Sequence, residues 1–199
     1  MVRKYWFLIN MKKISLITLT VASLLITGCN NTQHKQSNRV DKSLIVYFSW
    51  SSNTETMATY IKDATGYEME RIVPTVAYPT VYNDLADYAK AEKDNDERPS
   101  FNELELNPTD YDNIFVGYPI WWYTLPMIMR TFFDTYDFTG KTLIPFNTHE
   151  GSGNGGTYTL IKELEPNATV LEGLAIRGDD IKSSDSKSKV NDYLNKLGY

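Results

Sequence analysis

The sequence predicts an α/β fold: an open, five-stranded parallel sheet with helices on both faces. From residue 43 onward, short apolar runs rich in β-formers alternate with stretches of helical period, the signature of strands joined by crossover helices. The first run, SLIVYF, is almost wholly apolar, as a strand covered on both faces must be. Each early run is also followed by a loop rich in Gly, Ser, Asn or Pro rather than by the two-residue turn of a hairpin.

Residues 43–48 (SLIVYF) are the first strand, and the helix after it spans 54–65. Residues 67–73 (YEMERIV) alternate through Glu68 and Glu70, which predicts an edge strand, and a helix over 82–93 follows. The polar, acidic stretch 94–108 is expected to be a solvated loop. Residues 113–118 (NIFVGY) are the third strand, with a helix over 125–136; residues 142–146 (TLIPF) are the fourth, with a helix over 157–165. Residues 169–176 (TVLEGLAI) are the fifth strand, and a helix over 187–197 ends the chain. Right-handed crossovers wind such units into a doubly wound sheet, whose ligand lies outside the carboxyl ends of the strands at a topological switch point. Function is therefore expected in the loops after the first, third and fourth strands.

Composition narrows the chemistry. The 199 residues are 42% hydrophobic and 13% aromatic, with 11 Gly and 8 Pro, enough apolar material for one packed domain and unlike a disordered, collagen-like or coiled-coil chain. One cysteine, Cys29, allows no intramolecular disulfide, and with only His34 and His149 beside it a metal centre is not expected. The charge is uneven. Residues 1–28 carry Arg3, Lys4, Lys12 and Lys13 and no acid, so the remainder sets 16 basic against 25 acidic side chains, a net −9. An acidic body without a basic stripe lacks the phosphate-neutralising surface of a nucleic-acid binder.

The basic N-terminus reads as an address. Lys12 and Lys13 precede an uncharged run, residues 14–27, that ends in Ile26-Thr27-Gly28-Cys29: a basic n-region, a short h-region and small residues before a cysteine. The run is shorter than the roughly 20 residues of a membrane span. Residues 1–28 are thus expected to be a signal peptide, 29–42 a polar linker and 43–199 the folded domain, with Met11 an alternative start to Met1. The Ile-Thr-Gly-Cys ending resembles a bacterial lipobox. That resemblance implies cleavage before Cys29, lipid on its sulfur, and display of the protein on the outer face of a membrane.

Each of the three loops has a chemical character. After the first strand, Ser49-Trp50-Ser51-Ser52-Asn53-Thr54 brings hydroxyls and an amide to the start of a helix, where free backbone N–H groups attract an anion. Ordinary N-capping would select the same residue types, and the loop lacks the G-x-x-x-x-G-K-[ST] of a P-loop. After the third strand, Pro119, Ile120, Trp121, Trp122 and Tyr123 sit between Gly117 and Pro126. Three adjacent aromatics form either a flat wall for a stacked ring system or packing beneath the next helix, and Trp50 either joins that wall or covers it. After the fourth strand, residues 147–156 include Thr148, His149, Glu150, Gly151 and Gly153. Glycines 151, 153 and 156 fit G-x-G-x-x-G, but three strands into the sheet and with four residues between the strand end and the first of them they are misplaced for a dinucleotide fingerprint. Close backbone approach to a planar ligand explains them better, a mobile surface loop being the other account. His149 is a candidate donor or proton shuttle.

Together, residues 43–54 (SLIVYFSWSSNT), 117–126 (GYPIWWYTLP), 138–156 (FTGKTLIPFNTHEGSGNGG) and 168–178 (ATVLEGLAIRG) resemble the short flavodoxin-like proteins of the Y-F-S-x-[ST]-x-N-T type. The resemblance implies a three-layer flavodoxin fold with strand order 2-1-3-4-5 and one FMN held without a covalent bond. It places Ser49, Ser51, Ser52, Asn53 and Thr54 at the phosphate. It sets Pro119, Ile120, Trp121, Trp122 and Tyr123 beside the isoalloxazine, and Thr148, His149, Glu150, Gly151 and Gly153 at its pyrimidine edge. Electron-carrier flavodoxins carry T-x-T-G-x-T in the first loop, where this chain has Trp50 and Asn53. The flavin would perform the redox chemistry, with no catalytic side chain required beyond His149 as a proton donor.

The expected function is an FMN-dependent oxidoreductase or electron carrier at the cell envelope, exchanging electrons with a redox partner protein or a quinone-like acceptor. Two alternatives remain: an NAD(P)H-dependent quinone or nitro reductase, and an FMN-free binding module on the same scaffold. Ser-His-Asp hydrolysis fits poorly, because Ser152 lies in G-S-G rather than in a G-x-S-x-G elbow.

Overall fold

A computed structural model describes residues 41–199; the signal-peptide and lipidation readings, including Cys29, lie outside the described residues. The chain runs β1 (Ser43–Tyr47), α1 (Asn53–Thr65), β2 (Glu68–Arg71), α2 (Tyr82–Asp94), β3 (Asn113–Pro119), α3 (Met127–Thr135), β4 (Thr142–His149), α4 (Thr157–Leu164), β5 (Thr169–Val170), β6 (Leu174–Arg177) and α5 (Ser184–Leu197). Short 3₁₀ turns at Pro108–Asp110 and Gly178–Asp180 complete it. The strands are all parallel in the order β2-β1-β3-β4-β5, with β6 also on β4, and this is the 2-1-3-4-5 order expected.

Alternation along the strands builds two cores. Leu44, Val46 and Phe48 point to one face with Ile114, Val116 and Leu143, and pack against Leu85 of α2, Ile128 and Phe132 of α3 and Ile161 of α4. Ile45 and Tyr47 point to the other with Phe115, Ile144 and Phe146, beneath Met57 and Ile61 of α1 and Val190 and Leu194 of α5.

Three elements depart from the sequence reading. The fifth strand is two pieces, β5 and β6, separated by Leu171–Gly173 and both paired to β4. Opposite the gap stands Pro145, which has no N–H to give a ladder, and the Tyr158 ring lies 2.4 Å from where a Gly173 Cβ would stand, so only glycine fits the break. Next, β4 runs three residues beyond Phe146, which makes Asn147, Thr148 and His149 strand residues rather than loop residues. Finally, 94–108 is no free loop. Its Ser100 and Asn102 bond the backbone of Thr75 and Val73, Glu105 N–H donates to the Glu70 carboxylate, and Leu104 is buried. This segment covers the polar edge that β2 would otherwise leave open. Helix boundaries move by a few residues for local reasons: Pro126, with ψ 142°, is itself outside the helix and α3 starts after it, while the Ser183 hydroxyl accepts from Ser186 N–H and starts α5 early.

Candidate functional site

The carboxyl ends of β1, β3 and β4 open onto one cavity of about 990 Å³. Twelve residues singled out from the sequence line it: Trp50, Ser51, Asn53, Pro119, Ile120, Trp121, Trp122, Tyr123, Thr148, His149, Glu150 and Gly151. Ser49, Ser52, Thr54 and Gly153 do not.

The first loop separates its roles. Ser52 precedes α1 with φ 66° and makes no side-chain bond to the helix, so N-capping does not account for the hydroxyls of this loop. The Ser49 hydroxyl is buried with no protein partner, although its carbonyl accepts from the Arg71 guanidinium at 3.0 Å. The start of α1 thus carries no side-chain cap and leaves its first amides open to an anion. Thr54 is buried, and its hydroxyl meets that of Thr148 at 2.8 Å, which ties α1 to β4. Trp50 donates from its indole N–H to the Pro79 carbonyl at 2.9 Å, which fixes it as part of the wall.

In the second loop the three aromatics divide. Trp121 and Thr124 exchange two backbone hydrogen bonds around Trp122 and Tyr123, whose φ values are 47° and 61°. Two non-glycine residues in the left-handed region store strain in this turn. Trp121 meets Phe48 and Tyr78 edge-to-face at 5.3 and 5.1 Å, so it is both core and cavity wall. Trp122 is pinned at the rim by a 2.8 Å bond from its N–H to the Ala86 carbonyl of α2, and Tyr123 is mostly exposed.

The third loop is held from beneath. Asn147 donates to the Gly153 carbonyl and accepts from the Tyr158 hydroxyl; Thr157 donates to the Asn154 carbonyl at 2.6 Å and meets the Tyr118 hydroxyl at 2.9 Å. Two of the glycines have a backbone role. Gly153 has φ 62°, and a Cβ on Gly155 would stand 2.9 Å from the Tyr123 carbonyl, so close approach occurs between two loops. His149 Nδ1 accepts from Gly151 N–H at 3.0 Å, and partial burial lowers its pKa, favouring the neutral ring with its proton on Nε2.

Sequence reasoning missed the fourth wall. Tyr82, Leu85, Ala86 and Ala89 of α2 also line the cavity, as does Ser152. The spacing of the α2 residues, two overlapping i, i+4 pairs with small side chains in the second turn, was the available signal. The lining contains no lysine or arginine, and among the described residues no cluster of His, Cys, Asp or Glu is arranged to hold a metal.

Comparison with known proteins identifies the fold. Proteins designated flavoproteins from Bacteroides eggerthii and Bacteroides uniformis share the fold, with TM-scores of 0.70 and 0.68 and 27% and 26% identity. The matches cover 80% and 78% of this chain and 99% and 98% of theirs. A flavoprotein from Lactobacillus acidophilus, solved in complex with FMN, has a TM-score of 0.60 at 24% identity over 75% of this chain and 99% of its own. No curated protein matches the sequence. The sequence profile of the flavodoxin family spans residues 42–197, the whole of the sheet and its helices, and the chain belongs to that family.

Proposed function

We propose that the protein binds one FMN without a covalent bond and works in electron transfer at the bacterial cell envelope. The observation that carries this is the pairing, within one cavity, of a polar end and an aromatic end: the uncapped start of α1 with Ser51 and Asn53, and the Trp121–Tyr123 rim. The polar end suits a phosphate received by neutral donors, and Ser51 and Asn53 add side-chain groups to the helix amides there. Trp121 and Trp122 are fixed by core contacts and by α2, so they present a preformed surface for a planar ring system and keep water from one side of it. Neutral His149 offers an Nε2–H donor to a polar ring edge. Bound flavin supplies the electron chemistry.

Within this reading, lipid on Cys29 anchors the protein to the outer face of a membrane; among the described residues no helix is long and apolar enough to cross one. The electron partner, a redox protein or a quinone-like acceptor, meets the aromatic rim. A second function, NAD(P)H-dependent quinone or nitro reduction, is favoured by the α2 wall, which widens the cavity to the upper end of the roughly 300–1,000 Å³ usual for small-molecule sites.

The test is the visible spectrum of the purified protein with and without added FMN, followed by anaerobic reduction. Flavin bands that bleach in two stages support the carrier, and one-stage bleaching with NADPH oxidation on a quinone supports the reductase. No bands after FMN addition refute both and leave an FMN-free binding module. Labelling by a fatty acid that is lost in Cys29→Ser tests the anchor.

A further inference from the structure

We infer that Glu150 limits how tightly the phosphate-bearing flavin is held, by standing as an uncompensated carboxylate at the phosphate end of the cavity; the inference rests on the FMN reading above. Its geometry is set by Gly178, the buried residue that follows β6. Glu150 Oε1 and Asn53 Nδ2 lie 2.4 and 2.5 Å from the point a Gly178 Cβ would occupy, so the two side-chain ends converge over a residue with nothing to hold them apart. Asn53 opens α1, the helix whose free amides make the polar end, and Glu150 lines the same cavity. The carboxylate therefore reaches across from the loop after β4 to the anion-receiving end of the loop after β1, instead of the ring edge where the resemblance put it.

No direct partner neutralises it there. Glu150 has no hydrogen bond or ion pair among the described residues, and no lining residue is cationic. The nearby arginines are engaged elsewhere, Arg71 by Glu55 and the Ser49 carbonyl and Arg177 by Asp179. His149, its chain neighbour, favours the neutral form. A phosphate dianion seated on the α1 amides thus shares that end with a fixed negative charge, and repulsion across several ångströms at near-aqueous screening is on the order of tenfold in affinity. The effect is confined to the phosphate: riboflavin has the same ring and ribityl chain and no such charge. Glu150 is in this sense a specificity-determining residue, one that narrows the advantage of FMN over its unphosphorylated form.

The experiment titrates the full-length apoprotein with FMN and with riboflavin, following flavin fluorescence, for wild type, Glu150→Gln and Glu150→Ala. Both variants should bind FMN on the order of tenfold more tightly while the riboflavin Kd stays unchanged, and the gain should shrink as salt rises. Equal changes for the two flavins would make Glu150 an ordinary contact to the ring or ribityl chain and overturn the inference. Weaker FMN binding in Glu150→Gln would overturn it too, showing that the carboxylate positions Asn53. A wild type that binds neither flavin refutes the FMN reading itself and this inference with it, an outcome distinct from intact binding with indifferent variants.

Discussion

Wild-type stability should fall as pH rises from about 4.5 to 7, and Glu92→Gln should remove the part of that fall that Glu92 causes. Glu92 is on α2 with only 2% of its surface exposed, and its carboxylate accepts from the Tyr78 hydroxyl at 3.1 Å. Burial pushes its pKa from 4.5 to about 7, with Glu97 adding to the rise and the Tyr78 bond opposing it. Below pH 4.5 the carboxyl is protonated in both the folded and the unfolded chain. From there to pH 7 the unfolded chain releases the proton while the native state keeps it, so stability declines as pH rises and levels off above 7. At about 1.4 kcal/mol per unit, the interval is worth roughly 3 kcal/mol. Glutamine is neutral throughout and keeps an oxygen for Tyr78, so the variant should match wild type near pH 5 and exceed it by up to about 3 kcal/mol at pH 8. Glu165, also raised to about 7 by burial, is present in both proteins and cancels in the comparison. Urea unfolding at the two pH values measures the difference. Parallel pH profiles for wild type and variant would refute the reasoning, since Glu92 would then titrate alike in both states.

Further outcomes follow from the site. Thr148→Val leaves the buried Thr54 hydroxyl without its partner and should cost about 1–3 kcal/mol, while the double variant Thr54→Val/Thr148→Val should cost less than the two single changes together; urea midpoints decide. Gly117→Ala drives a Cβ to 2.2 Å from the Phe146 ring and 2.9 Å from Tyr47 Cβ, so it should destabilise by about 1–3 kcal/mol and lower Tm on calorimetry. Asn53→Asp adds charge at the α1 start and should weaken FMN binding on the order of tenfold with unfolding unchanged; unaltered affinity would place the phosphate elsewhere.

The sheet was legible because its strands are covered on both faces and announce themselves by continuous apolarity, from Ser43 to Tyr47 and from Asn113 to Tyr118. The covering of β2 was not. Residues 94–108 look solvated because their job is to satisfy an edge through backbone bonds, which leave no trace in side-chain pattern. The three loops were found from composition, but the duties of neighbouring residues were not. Ser49 and Thr54 are both buried hydroxyls near one helix start, yet one lacks a protein partner and the other is spent on Thr148, a distinction made by a contact across 94 residues. The α2 wall escaped because Tyr82, Ala86 and Ala89 are ordinary helix residues until the fold brings them to the mouth of the cavity.

The C-terminal residue gives one last consequence. Tyr199 packs edge-to-face on Phe115 and on Tyr67, which precedes β2, and the field of Asp41 reaches its hydroxyl. The described domain thus begins and ends side by side at the amino edge of the sheet, a full strand length from the cavity. A short linker joining these ends should therefore leave the mouth of the cavity intact. The mouth of the cavity, at the opposite end of the strands, is thus clear of both ends of the described domain.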